Sequence, residues 1–125
     1  MAVAKDATIL DWPAQGGGDW VVLRKGTNHW TCYTDWAASP GDDPDCSDPV
    51  MEAWSRALMA REKKPAEIAG PGIVYLLMGG SDPSNADPIA ATPAAREDWV
   101  TSSAHVMLAV PGGFDAKGLS TDPAS

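Results

Sequence analysis

Residues 28–49 read NHWTCYTDWAASPGDDPDCSDP, and this stretch holds both cysteines of the chain, two of its six tryptophans and a run of closely spaced acids. Cys32 and Cys46 would close a loop of about 15 residues, and a bridge there would stabilise the fold by about 3 kcal/mol in the chain-entropy model. It would also hold a Pro/Asp-rich segment that has little apolar surface of its own. The chemistry expected of this pair is a disulfide. A zinc site would have to recruit His29 and His105, without the close-paired ligand spacing zinc sites use. There is no C-x-x-C, which speaks against thioredoxin-type exchange. Asp42, Asp43, Asp45 and Asp48 raise calcium, a hard ion that wants many oxygens. Their spacing lacks the D-x-[DN]-x-[DN]-G order of an EF-hand loop, and acids in a solvated turn are commoner than a site.

A second stretch, LLMGGSDPSNADP at 76–88, runs from an apolar segment into paired glycines and then hydroxyl, amide and carboxylate groups. Gly79 and Gly80 allow close backbone approach. Ser81, Asp82, Ser84, Asn85 and Asp87 stand where rigid scaffolds often display functional groups. The same residues are also plain turn formers. His105, in SSAHVMLAVP, is the third candidate: a base, a ligand or a satisfied structural residue. A small hydrolase would use His105 as general base with a carboxylate from Asp82 or Asp87, and Ser81 or Ser84 as a hydroxyl. No G-x-S-x-G elbow supports that set. His105 and Met107 alternate onto one strand face, and an imidazole–thioether pair suits copper, although two ligands do not make a site. A phosphate loop, a dinucleotide fingerprint and H-E-x-x-H are all missing from the sequence, so no cofactor is expected.

These residues must be positioned by short elements. ATILDW (7–12), WVVLRKG (20–26) and WTCYTDW (30–36) read as three strands with short connections, which suggests an antiparallel meander. In the third, Trp30, Cys32 and Thr34 share one face and Thr31, Tyr33 and Asp35 the other. GTNHW between strands two and three reads as a turn, with Gly26 and Asn28 able to take positive φ. Three prolines, one glycine and four aspartates between 38 and 49 argue against regular structure there. A helix is expected from about Pro49 to Lys63. Ser47 or Asp48 can cap it, Pro49 suits its first turn, Glu52 favours its positive end, and Lys63, Lys64 and Pro65 end it. Val50, Trp54, Ala57, Leu58 and Arg61 share one stripe at 3.6 periodicity, with Met51 alongside. GPGIVYLLMGG and Ala104 to Val110 are strand-sized apolar runs. Strands, then a helix, then strands indicate an α+β fold: an antiparallel sheet of about five strands, with one main helix packed on it through Trp54 and Leu58. The 125 residues fit a single domain, with 1–5 and 115–125 expected to fray.

A net charge of −8 would repel a nucleic-acid backbone and an anionic membrane surface, and is compatible with cationic or neutral partners. No apolar stretch reaches the roughly 18 residues a membrane helix needs. Trp12, Trp20, Trp30 and Trp36 crowd the first third of the chain. Either they fill the core, or one or two line a surface for a sugar or an aromatic ligand. The N-terminus MAVAKDATIL lacks the charged, apolar and cleavage regions of a signal peptide.

At ATILDWP, VLRKGTNHWTCYTD, LLMGGSDPSNADP and HVMLAVPG, the chain resembles a group of small exported bacterial proteins without an assigned activity. The resemblance spans nearly the whole chain. It implies secretion across the inner membrane, a removed leader and a periplasmic or extracellular location. It transfers no catalytic residue. It also implies that relatives continue past Ser125 with Trp-, Met- and His-containing sequence, so that a site completed by that segment would be altered here. The expectation is a small exported binding or accessory domain. Its small-molecule, glycan or protein partner would sit near 79–87, with the hydrolase and the copper carrier as alternatives.

Overall fold

The computed structural model describes residues 2–13, 19–61, 70–87, 90, 92–94 and 98–110. The fold is α+β, as the element order suggests. The helices are α1 (Ala2–Lys5) and α2 (Pro49–Met59). The strands are β1 (Thr8–Asp11), β2 (Val21–Arg24), β3 (Thr31–Tyr33), β4 (Asp45–Ser47), β5 (Gly72–Leu76), β6 (Gly80–Asp82), β7 (Val100–Ser102) and β8 (His105–Ala109). Six strands form one mostly antiparallel sheet in the order β2-β1-β3-β4-β5-β8, and β6 pairs with β7 alone.

The first three strands are not a meander. β2 pairs antiparallel with β1, but β3 lies on the other side of β1 and runs parallel to it, with Ile9 beside Cys32 and Leu10 beside Tyr33. The chain therefore crosses β1 between β2 and β3. Asp6 O accepts from the backbone N–H groups of Thr27 and Asn28 at that crossing, and Thr8 N donates to Trp30 O at 2.9 Å. A Cβ at Gly26 would stand 2.3 Å from both Ala7 C and Thr8 N, so only glycine fits. The reason for Gly26 is this close approach: neither it nor Asn28 has positive φ. The Arg24 guanidinium holds the same corner by donating to Ala7 O at 3.0 Å.

The Pro/Asp-rich segment also departs from expectation, because Asp45–Ser47 is a strand in the interior of the sheet. It pairs antiparallel with β3, with Cys46 directly opposite Cys32, and antiparallel with β5. The Cys32–Cys46 disulfide is formed, as expected. Three residues are too few to show a period, so the ladder on both sides makes this strand rather than local propensity. β6 was likewise expected to be loop. Gly79, at φ +111°, turns the chain into it from β5, and a Cβ there would meet Ser102 O at 2.6 Å.

α2 starts where expected. Asp48 caps it, its Oδ1 accepting from Met51 N at 2.8 Å, with Pro49 in the first turn. It ends earlier than Lys63: Ala60 N still donates to Arg56 O, and Arg61 then turns left-handed at φ 53°. Lys63, Lys64 and Pro65 lie outside the described residues, as does the expected frayed tail 115–125. The helix buries Met51 and Ala57, whereas Trp54 and Leu58, expected to be the packing residues, are only half-buried.

Register divides the sheet into two faces. Ile9, Cys32, Cys46 and Tyr75 share one face, because each stands beside the next across the ladders. Ala7 and the disulfide form a buried cluster there, with Val3, Ala4, Ile9 and Trp30 packed against it. Residues 2–5, where the sequence suggests only a frayed end, are thus a turn of helix docked on the disulfide; Asn28 Nδ2 donates to Val3 O at 2.9 Å. Leu10, Tyr33, Asp45, Ser47, Val74 and Met107 point to the opposite face, against which α2 packs.

Candidate ligand-binding cleft

The face beneath α2 is not fully covered. A cleft of about 320 Å³ opens between the helix, the sheet and the tryptophan-rich first third of the chain. Its floor is Tyr33, Asp45, Ser47, Leu76 and Met107. Trp54, Leu58 and Met59 of α2 form one wall, Trp12, Trp20 and Trp36 another, and Asp43 and Gly80–Asp82 stand at the rim. The volume falls at the lower end of the range typical of small-molecule sites.

The aromatic wall exists because β3 pairs with β1, which brings Trp12 and Tyr33 together with ring centroids 6.1 Å apart. Trp12 also meets Trp20 at 4.9 Å and Trp36 at 5.8 Å, with interplanar angles of 52° and 36°. Trp20 meets Tyr33 edge-on at 4.7 Å. Trp12 Nε1 donates to Thr34 O at 2.8 Å, so its one polar atom is satisfied and its ring is fixed. Trp36 is braced from behind by Trp99 at 6.0 Å. The loop carrying Trp36 is closed by its own acids: Trp36 N donates to Asp43, and Asp43 N donates to Asp35 Oδ1 at 2.8 Å.

The charges in the cleft are unevenly placed. The Tyr33 hydroxyl donates to Glu52, and burial, reinforced by that carboxylate, holds the phenol far above its ordinary range. Glu52 in turn grips Arg56 at 2.6 Å, and the guanidinium lies 5.8 Å from the centroid of the Trp20 ring. The Asp45 carboxyl is pushed up to about 7, chiefly because burial withdraws it from water, with Glu52 and Asp43 adding repulsion and the Ser47 hydroxyl opposing. Burial and the hydrogen bond with Asp35 raise Asp43. Burial raises Asp82, with His105 opposing.

The four aspartates weighed as a calcium set do separate jobs. Asp48 caps α2, Asp43 ties the Trp36 loop, Asp45 floors the cleft and Asp42 is exposed. Among the described residues no group of three or more His, Cys, Asp or Glu is placed to hold a metal ion. Of the residues singled out at 79–87, Gly80, Ser81 and Asp82 reach the cleft, and Gly79 turns the chain toward it. Ser84 Oγ accepts from Ala86 N within its own turn, Asn85 is exposed, and Asp87 pairs with Arg61 at 3.2 Å. His105 lies opposite Leu76 on the cleft-side face and is held by Ser103 O, 2.7 Å from Nδ1. No hydrogen bond joins it to Ser81 or Asp82 in the described residues. Met107 does line the cleft.

The sequence singles out Asp45 only as a possible calcium ligand and the first-third tryptophans only as a possible ligand surface; it does not point to Tyr33 or Trp54 as site residues, nor show that Trp12, Trp20 and Trp36 meet at one cleft. The crowding of tryptophan in the first third was the available signal. No protein-family model matches the chain, and no curated protein or solved structure matches it significantly.

Proposed function

We propose that this protein is a small exported ligand-binding domain without bond-making chemistry of its own, and that its ligand is a small molecule seated in the cleft beneath α2. The observation that carries this is the convergence of four indoles and one phenol on a single cleft whose polar lining groups are mostly carboxyl and hydroxyl, with Leu and Met side chains beside them. Rings so placed offer large, rigid apolar surface, and the few polar groups orient what lies against them. The 79–87 segment contributes its first part, Gly80–Asp82, as the rim. The disulfide supports an oxidising compartment, periplasmic or extracellular. No described helix is long and apolar enough to cross a membrane.

The hydrolase alternative draws less support. No hydrogen bond among the described residues joins its base, His105, to Ser81 or Asp82, and Asp87 is paired with Arg61. The copper alternative has one residue at the cleft, Met107, and one beside it.

The test is a thermal-unfolding and tryptophan-emission titration of the oxidised protein with chito- and cello-oligosaccharides, choline, betaine and simple aromatic acids. A probe at about 100 times its dissociation constant stabilises by about 2.7 kcal/mol, a shift of several degrees for a domain of this size. Trp36→Ala abolishes the shift while the disulfide-side core stays intact. Absence of any response across the whole panel overturns the reading.

A further inference from the structure

Building on the cleft proposed above as a ligand site, we infer that it selects an alkylammonium cation, held against the Trp12 and Trp36 rings and beside the carboxylates of Asp45 and Asp82. Three features point there. First, the rings are tilted against one another rather than coplanar, by 36° between Trp12 and Trp36. Tilted rings offer no single flat platform of the kind a sugar stacks on, whereas a compact cation can be attracted by any one ring face, because each carries the negative side of the ring quadrupole.

Second, the protein already uses this mode within itself. The Arg56 guanidinium sits 5.8 Å over Trp20, one of the lining rings. Arg56 is neutralised by Glu52 at 2.6 Å, so it leaves the negative charge of the cleft uncompensated. Among the described residues no cation lies over the Trp12 or Trp36 ring.

Third, the charge is complementary. Asp43, Asp45 and Asp82 line the cleft, against Arg56 as the one lining cation among the described residues, and the whole chain carries −8. A neutral ligand would leave the half-buried Asp45 carboxylate without a counter-charge. A cation would supply one at the partly buried Asp45, where charge pairing and cation–π attraction are stronger than at a fully solvated carboxylate. An anion would be repelled.

The deciding experiment uses the full oxidised chain with choline and its neutral isostere 3,3-dimethylbutan-1-ol, titrated calorimetrically and by tryptophan emission at pH 8. Choline is expected to bind at least about tenfold more tightly, which is about 1.4 kcal/mol. Asp45→Asn is expected to remove most of that preference while leaving the binding of the neutral isostere nearly unchanged. Should Asp45→Asn fold poorly, Asp82→Asn provides the same comparison from the rim. Equal binding of the two probes overturns the cation inference and leaves the ligand-binding reading standing. Binding of neither probe also overturns the inference, and the broader panel then decides the ligand-binding reading separately.

Discussion

Asp45→Asn is the substitution with the largest expected effect that reads the cleft directly. Asp45 sits on an interior strand, opposite Tyr33 across the ladder, with Ser47 beside it and Glu52 and Asp43 facing it. Its carboxyl titrates at about 7 in the fold against an ordinary 3.8. Because the folded value is raised, the native state binds more protons than the unfolded chain between those two values. Stability is therefore greatest below about pH 4, is lost progressively as pH rises toward 7, and stays reduced above it. The full difference corresponds to about 4 kcal/mol. Water entry and relaxation around an ionised carboxylate recover part of it, which sets the expected loss at about 1–3 kcal/mol. An isosteric amide never ionises. Asp45→Asn is therefore expected to match the parent near pH 4 and to exceed it by about 1–3 kcal/mol at pH 8, a gain of several degrees in Tm. The assay is urea unfolding of both proteins at half-unit steps from pH 4 to 8. Comparing the two cancels the other acids. A difference that stays flat with pH would refute the argument that burial raises Asp45.

Two further outcomes follow from the packing. Gly26→Ala forces a methyl to within 2.3 Å of the β1 backbone at the chain crossing, so it is expected to destabilise by about 2–3 kcal/mol or more; an unchanged urea midpoint would refute the crossing. Replacing Cys32 and Cys46 together by alanine is expected to lower stability by about 3 kcal/mol and to make unfolding insensitive to reductant; a parent protein equally stable with and without reductant would contradict the bridge.

The disulfide, the start of α2 and the larger strands are legible in the sequence because each rests on local chemistry. Two cysteines bracketing a Pro/Asp-rich segment imply a bridge. Asp48 and Pro49 before an apolar periodic stretch imply a helix start. A glycine-flanked apolar run implies β5, and an apolar run between serines and Pro111 implies β8. The helix end is less legible, because the pattern continues past the point where Arg61 turns left-handed.

Tertiary structure alone decided which strands meet. Alternation along β3 assigns Cys32 and Tyr33 to opposite faces but does not say that β3 pairs with β1 rather than β2. That choice depends on the chain crossing β1 at Gly26, a contact between residues far apart in sequence. It also decided that Asp45–Ser47 is an interior strand, since three residues carry no period and their hydrogen bonds come from neighbours on both sides. The cleft follows from these facts together with the β1–β2 pairing that sets Trp20 near Trp12: β3 beside β1 adds Tyr33, and β4 beside β3 places Asp45 next to it. Composition announced an excess of tryptophan and acid; only the non-local pairing of strands brought the two together.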